Sequence, residues 1–175
     1  MASIPKVVGV LSCGFVLSLG LSLIHNFTRE EHMSTIEKSI EVNVPVHTAY
    51  NQWTQFEEFP RFMEGVKQVT QLGDRHLHWK AEIAGKEKEW DVEITEQMPD
   101  QRIAWTSRGG VVNDGIVMLQ PLSDKRTKIS LHMAYLPDGG VENVDDELDD
   151  LSLRAKGDLE RFKAFIEKHS PETGA

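Results

Sequence analysis

The sequence predicts an α+β domain in which a curved antiparallel sheet of about seven strands wraps around one long C-terminal helix, with two short helices after the first strand. Two observations carry this. Apolar residues alternate with polar ones in a succession of short segments punctuated by Gly, Pro and Asp, the pattern of half-buried strands. Near the C-terminus the period changes: Leu148, Leu151, Ala155, Leu159, Phe162 and Ile166 recur at spacings of three and four, one stripe on a helix of roughly 20 residues.

In chain order, Ile36, Ile40, Val42 and Val44 share one parity against Glu37, Glu41 and Asn43, which makes a first strand. Pro45 ends it and suits the start of a helix; Val46 to Thr54 then sets Ala49, Tyr50 and Trp53 on one helical face. Phe56 to Met63, interrupted by Pro60, reads as a second short helix or turn. Six strands follow. Val66–Leu72 runs to Gly73-Asp74, Leu77–Ile83 to Gly85-Lys86, and Trp90–Thr95 to Pro99-Asp100. Ile103–Thr106 runs to Gly109-Gly110, Ile116–Leu119 ends at Pro121, and Ile129–Tyr135 ends at Pro137. Leu77, Trp79, Ala81 and Ile83 face one way, as do Trp90, Val92 and Ile94, then Ile103 and Trp105, and finally Ile129, Leu131, Met133 and Tyr135. One side of the sheet is therefore wet and the other continuously apolar. The long helix covers the apolar side. Its acidic start (Asp145, Asp146, Glu147, Asp149, Asp150) and basic end (Lys163, Lys168, His169) both suit the helix dipole. A curved sheet around one helix leaves a space between them, and the short helices close one end.

The 175 residues fit one domain, placed at residues 34–170 between an apolar leader at 1–33 and a tail at 171–175. A net charge of −9, from 28 acidic and 19 basic residues, disfavours nucleic acid and anionic lipid surfaces as partners. Cys13 is the one cysteine, so no internal disulfide forms and the domain holds no thiol. Val7 to Ile24 is an uncharged apolar run at the short end of what crosses a bilayer, where ~20 residues are needed. It reads either as a membrane anchor or as an upstream extension of a chain that starts at Met33. A cleaved signal peptide lacks its A-x-A-like site, and Cys13 sits within the apolar run instead of after it, against a lipoprotein. The expected location is cytoplasmic, membrane-anchored if Val7–Ile24 is an anchor.

The order of elements resembles the START-like (SRPBCC, helix-grip) superfamily, and more narrowly its polyketide cyclase/dehydrase-type and coenzyme Q-binding members. The resemblance is carried by Ser39–Pro45, Trp53–Met63, Trp90–Gln97, Pro99–Trp105 and Gly157–Lys163, and spans about Thr35 to Glu167. It implies a helix-grip fold and a cavity for a hydrophobic small molecule. It does not choose a biochemical role, because fold does not fix function; members include lipid carriers, quinone binders and cyclases.

Catalytic signatures are sparse. No Gly-x-Ser-x-Gly elbow or phosphate-binding loop occurs, and Gly109-Gly110 reads as a hairpin turn. His76, His78 and His132 alternate away from the apolar side, so no metal set is expected. The acidic run Asp138–Asp150 lacks the spacing of a calcium loop. The inward parity offers no carboxylate for acid–base work, since Asp91 and Glu93 point outward. No catalytic residue, metal or cofactor is therefore assigned. What the inside offers is aromatic and thioether surface. Trp53, Phe59, Phe62, Met63, Trp79, Trp90, Trp105, Met133, Tyr135, Leu148, Leu151 and Ala155 are the expected lining of a ligand pocket. Singly each reads better as core packing; as a set they fit a cavity. The polar candidates are Tyr135 and Ser107, with Arg108, Asn113 and Asp114 at its mouth. The expected function is binding or carriage of a lipid, isoprenoid quinone or polyketide-like molecule. The alternatives are an aromatase/cyclase-type enzyme using the same cavity, with Tyr135 and Arg108 as its groups to test, and an interaction module docking through its acidic helix start.

Overall fold

The structure, a computed structural model, describes residues 34–83, 85–109, 112–136 and 144–169. The Val7–Ile24 segment, Met33 and the 171–175 tail lie outside the described residues, as do the side chains of Tyr135 and of residues 145–147. The elements run β1 (Ser34–Val42), α1 (Val46–Trp53), a 3-10 helix (Phe56–Arg61), β2 (Val66–Gln71), β3 (His76–Ile83) and β4 (Lys86–Met98). They continue through β5 (Arg102–Arg108), β6 (Val112–Ser123), β7 (Arg126–Leu136) and α2 (Val144–His169).

Strands β2 to β7 form a meander, and β1 adds to the β7 edge, giving the order β1-β7-β6-β5-β4-β3-β2 with every neighbour antiparallel. β1 and β2 are thus opposite edges of one sheet. The chain must travel from one to the other, and α1 and the 3-10 helix make that crossing. Register shifts at Val66/Gln68, Ile94/Glu96 and Pro121/Ser123 are bulges, which bend a strand and raise its local twist. A sheet bent this way wraps α2, which packs most closely on β1.

Strands β4 to β7 all run beyond the stretches that alternation marks, and two of the extensions have a clear cause. β4 begins at Lys86, although residues 86–89 are all charged. Pairing recruits them: Lys86 stands opposite Ile83 and Lys88 opposite Ala81, so β3 supplies the ladder that side-chain alternation does not advertise. β6 runs past Pro121, where a stop was expected, to Ser123. Pro121 sits opposite Thr127 beside a bulge, one of the few places in a sheet where a missing N–H is tolerated.

The core is a relay of rings. Phe162 of α2, fully buried at 0% exposure, packs edge-on to Trp53 of α1 at 4.9 Å and to Phe62 at 5.1 Å. Phe59 of the 3-10 helix continues the chain, 5.9 Å from Trp53 and 5.6 Å from Trp79 of β3. Trp79 stacks on its cross-strand partner Trp90 at 5.8 Å. Edge-to-face and offset contacts of this kind add to the area the rings bury. At the β1 end, Thr127 is the one buried polar side chain among the described residues, and its Oγ1 donates to the Val44 carbonyl at 2.9 Å.

Truncating the centre of the relay tests its weight. Phe162→Ala is expected to lose about 3–5 kcal/mol of unfolding free energy, read from urea denaturation. A loss below about 1 kcal/mol would mean that the relay closes around the gap without it.

Candidate functional site

A cavity of about 150 Å³ lies between the concave face of the sheet and α2. Trp53 of α1, Phe56 and Phe59 of the 3-10 helix and Met63 behind it form one side. Opposite stand Trp79 and Trp90, whose inward parity was legible from alternation, with Trp105 of β5 and Met133 of β7 further along the sheet. Leu151 and Ala155 of α2 complete the wall. Nine of the twelve expected lining residues therefore meet at one space. Phe62 packs behind the wall against Phe59, Phe162 and Phe165. Leu148 is half-buried against the core outside the wall. Tyr135 stands opposite Asn113 in the sheet.

Of the polar candidates whose side chains are described, Asn113 alone lines the cavity. The others are committed at the β5–β6 end. Asp114 accepts from Thr106 Oγ1 (2.9 Å) and from the Ser107 amide (2.8 Å). Ser107 Oγ in turn accepts the Asn113 N–H at 2.8 Å. Arg108 pairs with Glu93 on the outer face. His78 and His132 also lie outside the wall: His78 is held by Asp91 at 2.8 Å, and His132 is 3.8 Å from Glu37.

Trp105 is positioned by two neighbours. Its Nε1 donates to the Asn113 carbonyl at 2.9 Å. Its ring lies on the bare backbone of Gly115, its cross-strand partner; a Cβ there would sit 2.4 Å from Trp105 Cζ2 and 2.9 Å from the His132 carbonyl. Trp79 and Trp90 differ: their Nε1 donors, like Asn113 Oδ1, are buried with no partner among the described residues.

The sheet's parity offered no inward carboxylate, but α2 does. Asp158 lies on the wall, as do Arg154 one turn before it and Glu64 in the loop after the 3-10 helix. Asp158 Oδ1 accepts the Glu64 N–H at 2.8 Å and pairs with Arg161. Arg161 also donates through Nε to the Phe62 carbonyl (2.9 Å) and lies 3.2 Å from Glu64 Oε2. Burial pushes the Asp158 carboxyl above the usual carboxylate range, outweighing the Glu64 N–H and the Arg161 and Arg154 charges that act the other way. The signal for these residues was in the sequence: Arg154 and Asp158, spaced by four, flank the apolar stripe of α2. Strand alternation alone missed them because helix and sheet share the wall.

Among the described residues, no helix is long and apolar enough to cross a membrane.

A family model described as polyketide cyclase / dehydrase and lipid transport matches residues 42–164. An uncharacterized 17.2 kDa protein of Streptomyces lincolnensis is 53% identical over 143 residues, which are 81% of this chain and 95% of that protein. Among solved structures, the Zhui aromatase/cyclase from Streptomyces sp. R1128 is similar with a TM-score of 0.69 and 15% identity, covering 82% of this chain and 99% of that one. A START superfamily protein from Mycobacterium smegmatis is similar with a TM-score of 0.68 and 14% identity, over 78% of this chain and 99% of that one. At these identities the two structures speak for the fold alone.

Two outcomes follow from the geometry. Gly115→Ala is expected to drive the Trp105 ring off its seat and cost about 1–3 kcal/mol, seen as a lowered melting temperature; an unchanged melt would mean the ring relocates freely. For Asp158, whose folded pKa is raised, the stabilising contribution is complete below the ordinary carboxylate pKa and lost as pH rises through the raised one. The stability of the wild type relative to Asp158→Asn should therefore decline across that window in urea unfolding at fixed ionic strength. A difference that grows with pH would show that the arginines outweigh burial.

Proposed function

The chain belongs to the polyketide cyclase/dehydrase and lipid transport family and has a START-like, helix-grip fold, and we propose that within this family it binds and carries a hydrophobic small molecule in the cavity under α2. The observation that carries the reading is the wall itself. Among the described residues, every lining residue apart from Glu64, Asn113, Arg154 and Asp158 is apolar or aromatic, the make-up of a small-molecule pocket. A ligand that buries about 200 Å² of apolar surface there gains roughly 5 kcal/mol at ~25 cal/mol per Å², before the costs of association.

The ligand classes this reading favours are a lipid, an isoprenoid quinone or a polyketide-like ring system. The uncommitted N–H groups of Trp79 and Trp90 support the oxygenated members of that set over a plain hydrocarbon, because a buried donor without an acceptor is costly. Trp53, Phe59, Met63, Trp79, Trp90, Trp105, Met133, Leu151 and Ala155 would be its contacts.

A cyclase-type enzyme is the second reading, favoured by one feature: a carboxyl on the cavity wall with its pKa raised by burial, the condition that suits a general acid. The two readings separate at Asp158. In a carrier, Asp158→Asn leaves ligand retention nearly unchanged; in an enzyme it removes turnover of a supplied poly-β-keto chain while retention persists.

Native mass spectrometry of the full chain purified gently from its own host, followed by organic extraction, is the direct test. A co-purifying hydrophobic compound near one per chain is the expected result. An empty protein that also refuses a panel of lipids, quinones and aromatic ketones would overturn the proposal.

A further inference from the structure

The polar groups of the wall are unevenly placed. Asn113 stands alone on β6, whereas Glu64, Arg154 and Asp158 gather where the middle of α2 faces the loop before β2. The commitments of these three differ. Glu64 and Asp158 are both served by Arg161, and Asp158 takes the Glu64 N–H as well. Arg154 makes one long hydrogen bond, from Nη1 to the Glu82 carbonyl at 3.3 Å, and no ion pair among the described residues. A guanidinium carries five donors in a rigid fork, so most of its capacity is unspent on a half-buried, largely apolar wall. Its charge acts on Asp158 one turn along α2, and an acceptor on a ligand at this wall would engage the remaining donors in charge-assisted hydrogen bonds.

The backbone beside it is shaped for the guanidinium. Gly65 has a φ of +78°, and its amide oxygen accepts the Glu82 N–H at 2.8 Å. A Cβ at this position would come within 3.2 Å of Arg154 Nη1 and 2.7 Å of the Glu82 carbonyl. The loop therefore passes close to the arginine only because residue 65 has no side chain.

We propose that Arg154 is the head-group receptor of this cavity: its guanidinium reads an oxygen acceptor, a carboxylate or a ketone oxygen, at one end of a ligand whose apolar body lies among the rings. This deepens the ligand-binding reading and rests on it. Charge-assisted hydrogen bonds are stronger than neutral ones and directional, so the arginine would fix which end of the ligand stays at this side of the cavity. Asp158 Oδ1 is already taken by Arg161 and by the Glu64 N–H, and it makes no hydrogen bond to Arg154 among the described residues.

The test compares three two-ring probes of one outline, naphthalene, 2-acetonaphthone and 2-naphthoic acid, by titration calorimetry on the full chain. At least one oxygenated probe should bind about tenfold more tightly than naphthalene; gain with the acid alone identifies a carboxylate head, and gain with the ketone a carbonyl head. Arg154→Gln should erase that gain and leave naphthalene binding unchanged, and Arg154→Lys should restore part of it for the acid. Equal affinity for all three probes, or a loss in Arg154→Gln that is the same for all three, would overturn the assignment and leave cavity binding intact. Failure of every probe, with lipids and quinones also refused, would instead remove the ligand-binding reading on which it rests.

Discussion

The edge-on packing of Phe162 against Trp53 and Phe62 is the contact on which the rest of the architecture depends. It joins the long helix to the two short ones, and through Phe59 it reaches Trp79 and Trp90 on the sheet. Phe162 and Ile166, toward the C-terminal end of α2, are buried in solid core, while Leu151, Ala155 and Asp158 one to three turns earlier face open space. The helix is thus anchored at one end and stands over a cavity in its middle. Close packing and an internal void coexist because different turns of one element do different work.

A second constraint acts on the loop between the 3-10 helix and β2. Arg161 draws the Phe62 carbonyl, Glu64 and Asp158 together, and Gly65 lets the same loop lie against Glu82. These contacts close the cavity on one side with polar groups that satisfy one another. The result is a polarity gradient along the space: indole and phenyl surface inside, a charged and hydrogen-bonded rim at one end. An amphiphilic ligand fits such a gradient in a single orientation, which a uniformly apolar pocket does not impose. The same rim holds the Asp158 carboxyl, whose pKa burial raises above the usual carboxylate range.

Much of the fold was legible in the sequence, and for definite reasons. Alternation places Leu77, Trp79 and Ala81 on the same face because a strand has a period of two, and the α2 stripe is visible because a helix has a period of 3.6. The extension of β4 back to Lys86 was hidden, since its charged residues carry no alternation and are held by their partners in β3. Pro121 was misleading for the converse reason: a local rule against proline in strands gives way where a bulge already interrupts the ladder.

The sequence by itself determined which residues face inward on β3, β4 and β5, where the long helix lies, and that rings and thioethers dominate the interior, because each of these follows from local periodicity. Only the tertiary structure decided which inward residues border a cavity and which are simply core. Phe59 and Phe62 illustrate it, three residues apart on one short segment yet on the wall and behind it respectively. The structure alone also brought Arg154 and Asp158 of α2 to the same space as Glu64, 90 or more positions earlier in the chain. Period and propensity act over a turn or a strand; a shared cavity wall is set by the curvature of the sheet and the angle of the helix across it, which no single segment encodes.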